Sequence, residues 1–379
     1  AMYQEPFRVE TVRFWSRSVG RHLARMREAG ESVWGAGNFW VMPNGTAVQY
    51  EPIATGGNVV EWARAGGFQL GSYENIRHHW GVQPRRLTGA LRFNEMRDLI
   101  PGHKMMRGLT STQTWAAPLR ACLSDPGFRH LHAAEAMAFD GLLCDGGWPH
   151  QVPVADRLPL YEFMRHFQEL LRTGAEVAEV GVVGMTNELC WEPADPVREF
   201  ALVTDWLSEA RVQWRALPDD TISADELSGL RAVFVPNQRM LDDAEVAVLR
   251  AYAEGGGTLI LSGECGTRYL CGARRERPAF AGILPEVAAD QPWAVGPCGQ
   301  GRVAWCPRGF ADVDVPAGYT GADTRAGQPA RGLIRETNRP VFLACLNQAT
   351  GAGLSSVLPP GPPAVRIASR WFPTDEGAM

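Results

Sequence analysis

Lysine is almost absent from this chain. Of its 37 Lys and Arg residues only Lys104 is a lysine, so arginine carries the positive charge. That removes Schiff-base and P-loop phosphate chemistry from nearly the whole sequence, because both need a lysine amine. No apolar run approaches the roughly 20 residues that span a bilayer, so no membrane association is expected. The formal net charge of −5 argues against nucleic acid as a partner, and the Arg-rich run "GARRERP" (272–278) is read as solvated surface. The eight cysteines show no CxxC or Cys/His ligand spacing. Cys122, Cys144, Cys190 and Cys345 lie inside apolar stretches and read as buried free thiols, which favours a reducing, cytoplasmic setting. His78 and His79 are adjacent and diverge from any single ion, so no metal is expected, and no cofactor motif is present. There is no charged-then-apolar leader, but "AMYQEP" opens abruptly on the lead into a helix, so we expect the natural N-terminus to lie upstream. Internal repeats and low-complexity tracts are missing too.

What is present is an ordinary globular composition, 45% hydrophobic and 21% charged, over 379 residues, enough for two or three domains with their own cores. Residues 8–29 place Val12, Trp15, Val19, Leu23 and Met26 at three- and four-residue steps, which predicts an amphipathic helix running into Gly30. "SVWGAGNFW" (32–40) follows as a short strand ending in Asn38 and aromatics. Helices are expected over 56–67, 88–102 and 125–141, and strands over 68–73, 103–111 and 142–148. Such alternation implies a parallel sheet with helices outside. Polar and aromatic residues gather at the C-terminal ends of these strands, which is the rim where a βα barrel holds its ligand.

A helix over 159–174 leads into a second α/β region. Strands are expected at 178–187, 212–220, 230–238 and 257–263, with helices at 196–210 and 242–256. The last helix has acids at its start and a glycine stop. The order is doubly wound and flavodoxin-like. From about 293 the texture changes to apolar runs separated by Gly and Pro. "GRVAWCP" (301–307), "PVFLACLN" (340–347) and "PAVRIASRWF" (363–372) are read as strands.

Three features together carry a family resemblance: Phe14 and Trp15 on the first helix, a strand ending in Asn38, and "AEAMAFDG" before the strand 142–148. The most specific stretch is "LRAVFVPNQRMLDDAEVAVLRAYAEGGGTLILSGECG" (230–266), which resembles the trimerisation domain of the family-42 β-galactosidases. The chain as a whole resembles these enzymes and their hypothetical glycoside hydrolase relatives. The resemblance implies an α/β fold in three parts: the C-terminal half of a (βα)8-type barrel over 1–155, a flavodoxin-like (glutamine-amidotransferase-like) trimerisation-type domain over 156–292, and a short β-rich C-terminal segment over 293–379. It also implies a glycoside substrate. On this mapping the barrel strands are the fifth to eighth, and the general acid belongs to a fourth strand upstream of this chain. The family's nucleophilic Glu follows the seventh strand, where this sequence reads "GLTSTQTW" (108–115) without a carboxylate.

Glycoside hydrolysis generally uses two carboxyl groups, about 5–5.5 Å apart for retention or about 6.5–9.5 Å for inversion. The carboxylates at strand ends here are Glu74 and Asp145. Glu74, with Asn75 and Arg77 close enough in sequence to orient it, is the candidate catalytic residue; the alternative is a loop Glu paired with Arg77. Asp145 either holds a sugar hydroxyl or turns the chain with Gly146. Trp40, Tyr73, Trp80, Trp115 and Trp148 are candidates for stacking on sugar faces. Asn38, His78 and Arg107 complete the candidate substrate-binding set, Arg107 by pointing into the barrel, while Glu135 is read as structural. Cys265 in "SGECGTRY" (262–269) mimics a nucleophile elbow, but Thr267 stands where a second glycine belongs and no His-x-Glu follows, so it is read as inert. Two functions stay open: a glycosidase acting through Glu74, and a non-catalytic carbohydrate-binding or assembly protein. Exposed strand edges lead us to expect a homo-oligomer.

Overall fold

Short runs with no charge to solvate, such as "VGVV", "AVFV" and "TLILS", are the sequences of strands covered on both faces. In the computed structural model they form the centre of a six-stranded sheet. The structure describes residues 7–39, 41, 61–62, 65–66, 72–73, 104, 117–118, 154–173, 175–184, 186–189, 194–219, 221–311, 331–351, 354, 370–371, 373–374 and 377–378. They fall into two compact units. One holds Ala178–Ile367 together with the start of the chain as far as Phe14; the other holds the chain from Trp15, the described parts of 92–177, and the C-terminal end from Ala368.

In the first unit the strands are β4 (Val180–Val183), β5 (Trp214–Leu217), β6 (Ala232–Val235), β7 (Thr258–Ser262), β8 (Ala294–Cys298) and β9 (Gly301–Cys306). They lie in the order β5-β4-β6-β7-β9-β8, parallel throughout except for the β8–β9 hairpin. Alternation splits each strand between two apolar layers. Val233, Val235, Leu259 and Leu261 pack with Leu227, Val246, Leu249 and Phe280 on one face. Phe234 faces the other way, 5.8 Å from Phe310 and 5.7 Å from Phe342 between ring centroids. Phe342 also lies 5.6 Å from Trp206. The sheet is therefore doubly wound, with helices α4 (Ala194–Glu209) and α7 (Arg331–Thr350) on the aromatic side and α5 (Ala224–Leu227) and α6 (Asp243–Glu254) on the aliphatic side. The remaining helices are α1 (Phe7–Trp34), α2 (Val154–Thr173) and α3 (Thr186–Leu189), the last following β4.

Helix α6 starts and stops where its sequence requires. Asp242 accepts from the Glu245 N–H at 2.7 Å, and the Glu245 carboxylate accepts from the Asp242 N–H at 2.7 Å. This capping box satisfies two of the N–H groups a helix start leaves bare. Gly255 ends the helix, and Gly256 takes φ +115°, a conformation that disfavours any side chain.

The run 340–347, expected as a strand, lies inside α7. Phe342, Cys345, Leu346 and Ala349 are all buried. Their spacing of three and four residues is that of a helix face; a short apolar run read without its neighbours does not reveal its period. Strand 301–306 is also no part of a separate β layer: it pairs with β7 in parallel from Thr258↔Arg302 to Ser262↔Cys306.

In the second unit α1 continues past Gly30 to Trp34, so the strand expected over 32–40 begins as helix. Gly30 serves contact and not termination, since a Cβ there would stand 2.1 Å from the Phe39 ring. Val12 of the apolar stripe is buried; beyond it Ser16, Gly20 and Ala24 are buried while Trp15, Val19 and Leu23 are only partly covered and Met26 is 47% exposed. At Gly20 a Cβ would come within 3.0 Å of the Glu61 carbonyl, so small residues admit the close approach of the helical turn at 61–62. Arg17 Nε donates to the buried Glu61 at 3.1 Å. Strands β1 (Ser72–Tyr73) and β2 (Ala117–Pro118) pair in parallel, and β3 (Ala175–Glu176) pairs antiparallel with β10 (Arg370–Trp371). Two further short strands, β11 (Pro373–Thr374) and β12 (Gly377–Ala378), pair antiparallel. Lys104, where the strand 103–111 was expected to begin, is helical and buried.

Candidate functional site

Of the candidate catalytic and substrate-binding residues, two are described. Asn38 stands in an exposed turn after α1, not at the end of a strand. Its Nδ2 donates to the Trp34 carbonyl at 3.0 Å and its N–H to the Gly35 carbonyl at 3.1 Å, so it closes the helix. Tyr73 is the second residue of β1, opposite Pro118 in the parallel pair. Glu74, Asn75, Arg77, His78, Trp40, Arg107, Trp115, Asp145 and Trp148 lie outside the described residues.

The structure does assemble a polar cluster that the sequence reading passed over, at the C-terminal edge of the six-stranded sheet. Chain order reverses between β4 and β6, and such a switch point leaves a crevice where loops run in opposite directions. Asn187 and Glu188 enter from α3 after β4, Asp219 from the end of β5, and Gln238 and Arg239 from the end of β6. Asn187, Glu188, Asp219 and Gln238 are all fully buried. Glu188 Oε2 accepts from Arg239 Nε at 3.1 Å and Nη2 at 3.0 Å, while Oε1 accepts the Met240 N–H at 2.7 Å. Burial pushes the Glu188 carboxyl above its ordinary range, outweighing the neighbouring Arg239 charge and these hydrogen bonds. Asp219 Oδ2 accepts from the Asn187 N–H at 2.7 Å and Gln238 Nε2 at 2.8 Å. Arg13 reaches the same place from α1 and donates to Asn187 Oδ1. The signal available in sequence was positional: "MTNEL" and "PNQR" each follow a strand flanking the reversal.

Chemically this cluster ties strand ends together. Glu188 commits both oxygens to donors of its own chain, which leaves it poorly placed to act as a general base. The next strand end is closed in the same manner. Asn237 Oδ1 accepts the Glu264 N–H at 2.8 Å, and a Cβ on Gly263 would stand 2.2 Å from that oxygen. Cys265 donates its thiol to the Ser262 carbonyl at 2.8 Å and the Val235 carbonyl at 3.1 Å. Burial, with Glu199 and Glu188 nearby, drives its pKa far up, so it carries no thiolate and is inert as a nucleophile. Among the described residues no group of three or more His, Cys, Asp or Glu side chains could hold a metal ion.

This combination, a mixed α/β chain built on a mainly parallel sheet, is the fold of the family-42 β-galactosidases over most of the chain's length. The β-galactosidase of Bacillus circulans sp. alkalophilus superposes with a TM-score of 0.68 at 13% identity, covering 96% of this chain and 60% of that one. The enzyme of the Antarctic haloarchaeon Halorubrum lacusprofundi gives 0.64 at 14% identity, covering 96% and 62%. Gan42B, a GH42 β-galactosidase from G. stearothermophilus, gives 0.54 at 11% identity for its catalytic mutant, covering 83% and 54%. The chain thus spans about 60% of the length of the first two structures and about half of the third. No protein-family model matches it, and no curated protein matches it by sequence. Among the described residues no helix is long and apolar enough to cross a membrane.

Proposed function

We propose that this protein is a glycoside-hydrolase-like protein that binds a carbohydrate at the C-terminal ends of parallel strands, with Glu74 as its carboxylate. The observation that carries the reading is the parallel pair β1–β2: Tyr73 closes β1, and Glu74 is the next residue in the chain. In βα folds that end of a parallel strand is where substrate is held. Asn75 and Arg77 supply polar partners, and Trp115 and Trp148 the apolar faces for stacking on a sugar. The α/β region that follows, 156–292, acts as an assembly module, so the working form is a homo-oligomer.

The second reading, a carbohydrate binder without chemistry, is favoured by "GLTSTQTW" (108–115), which has no carboxylate where the family's nucleophile falls. Glu74→Gln distinguishes them. Hydrolysis of aryl glycosides by the parent, reduced by at least about a hundredfold in Glu74→Gln, supports catalysis. Unchanged hydrolysis removes Glu74 from the mechanism. A parent that binds galactosides in calorimetry but hydrolyses none is a binder, and a monomer in sedimentation velocity at micromolar concentration rules out the assembly role.

A further inference from the structure

We propose that the open face of Trp34 is a stacking platform for a β-galactopyranoside, independent of Glu74. The platform is built in layers at the C-terminal end of α1. Gly30 is its base: a Cβ there would collide with the Phe39 ring, so that ring lies directly on the helix backbone. Trp34 stacks on Phe39 in turn, with ring centroids 5.3 Å apart and planes 8° from parallel. Trp34 is still 61% exposed, which an indole with one face covered reaches only when its other face is open. The turn that carries the rings is fixed as well. The Gly35 N–H donates to the Glu31 carbonyl at 2.8 Å, and the Gly37 N–H to the Glu31 carboxylate at 3.3 Å. The Asn38 amide donates to the Trp34 carbonyl at 3.0 Å. Gly35 and Gly37 take φ of +90° and +78°, which lets the chain fold back and bring Phe39 against Trp34. Rings held in this way lose little freedom when a ligand settles on them.

The size of the patch selects the ligand. Met26, Val33 and Trp34 are 47%, 71% and 61% exposed, and together they offer roughly 350 Å² of surface, less than half of the about 800 Å² that each side of a stable protein interface covers. Trp34 alone offers about 150 Å², the extent of one six-membered ring. An indole face is electron-rich and attracts the C–H bonds of a sugar ring; β-galactopyranose gathers its C3, C4 and C5 hydrogens on one side. The rim beside the ring is polar. Asn38 is exposed, and its amide keeps a second N–H and its oxygen for hydroxyl groups. A purely aromatic ligand would leave that rim unused.

Titration with methyl 1-thio-β-D-galactopyranoside, followed through the indole N–H resonances, tests the platform. The Trp34 resonance, identified by its loss in Trp34→Phe, should shift saturably with a midpoint on the order of 10 mM, the affinity of one stacked ring with a few hydrogen bonds. Mannitol, a polyol without a ring face, should leave it in place. The same shift in Glu74→Gln separates this face from the Glu74 site, so failure of the catalytic reading does not touch it. A resonance that stays put up to about 100 mM thiogalactoside, moves equally with mannitol, or stops responding in Glu74→Gln overturns the proposal. Trp34→Ala should also sediment as the parent does; a changed association state makes this face a subunit contact and overturns the proposal too.

Discussion

Replacing Arg239 with methionine tests the energetics of the buried pair most directly. The substitution keeps an unbranched side chain of similar reach but removes the guanidinium that holds Glu188 Oε2 through two hydrogen bonds at 3.0 and 3.1 Å. Glu188 is 0% exposed and Arg239 12%, so the lost partner is not replaced by solvent. Removing one member of such a pair costs about 3–5 kcal/mol. With a urea slope of about 3 kcal/mol/M, the unfolding midpoint should fall by about 1–2 M. The cost must also depend on pH. Burial already raises the Glu188 carboxyl above its ordinary value, with Arg239 as the chief opposing influence, and without Arg239 it rises further. A carboxyl whose folded pKa exceeds its unfolded value adds stability that is complete below the unfolded value and is lost as pH rises through the folded one. The penalty of Arg239→Met is therefore larger at about pH 8 than at about pH 5, because only the ionised carboxylate is stranded. Adding Glu188→Gln, which keeps an acceptor for the Met240 N–H and carries no charge, should recover most of the loss at about pH 8. Urea unfolding followed by tryptophan fluorescence at both pH values measures all three quantities. An equal midpoint shift at the two pH values, or a shift below about 0.3 M at the higher one, would refute this account of a carboxylate stranded by its partner.

Two other outcomes follow from the same interior. Phe342→Ala should cost about 3–5 kcal/mol in urea unfolding, because the ring is 1% exposed and lies 5.2 Å from Phe310 as well as against Phe234 and Trp206. A cost within about 0.5 kcal/mol, typical of a surface site, would remove α7 from the core. Among the thiols, Cys271 is partly exposed while Cys265, Cys306 and Cys345 are buried, and burial pushes Cys345 up to about 12. Iodoacetamide at about pH 8 should label Cys271 before Cys265, Cys306 and Cys345 and leave those three unmodified in the native protein, as peptide mass mapping would show. Rapid labelling of Cys265 would reopen its reading as a nucleophile.

The sequence offers a candidate glycoside site as a pattern of chemistry at strand ends, and of its residues Tyr73 closes a parallel strand. Asn38 shows how that reading fails. Its apolar and aromatic neighbours imitate a strand, yet Gly30 has no side chain to clash with Phe39, and the helix simply continues to Trp34. The first helix also hides its buried edge. Apolar periodicity pointed to Val12, Trp15, Val19, Leu23 and Met26, of which only Val12 is fully buried, whereas the close approach of residues 61–62 falls on Gly20, because a residue without a side chain lets two backbones approach.

Local rules were sufficient wherever the determinant is local. The Asp242–Glu245 box starts α6 and Gly255 stops it, as their chemistry requires at any place in any fold. The apolar runs of β4, β6 and β7 become strands buried on both faces because they carry no charged group to present to water. Tertiary structure decided everything that needed a distant partner. It made 340–347 a helix, since Phe342 found Phe310 and Trp206 on one side of the sheet. It also joined Arg13 to Asn187 across 174 positions and Asn187 to Asp219 across 32. Periodicity records which face of an element seeks cover, but the identity of the covering group depends on strand order, and strand order is set by the whole chain at once.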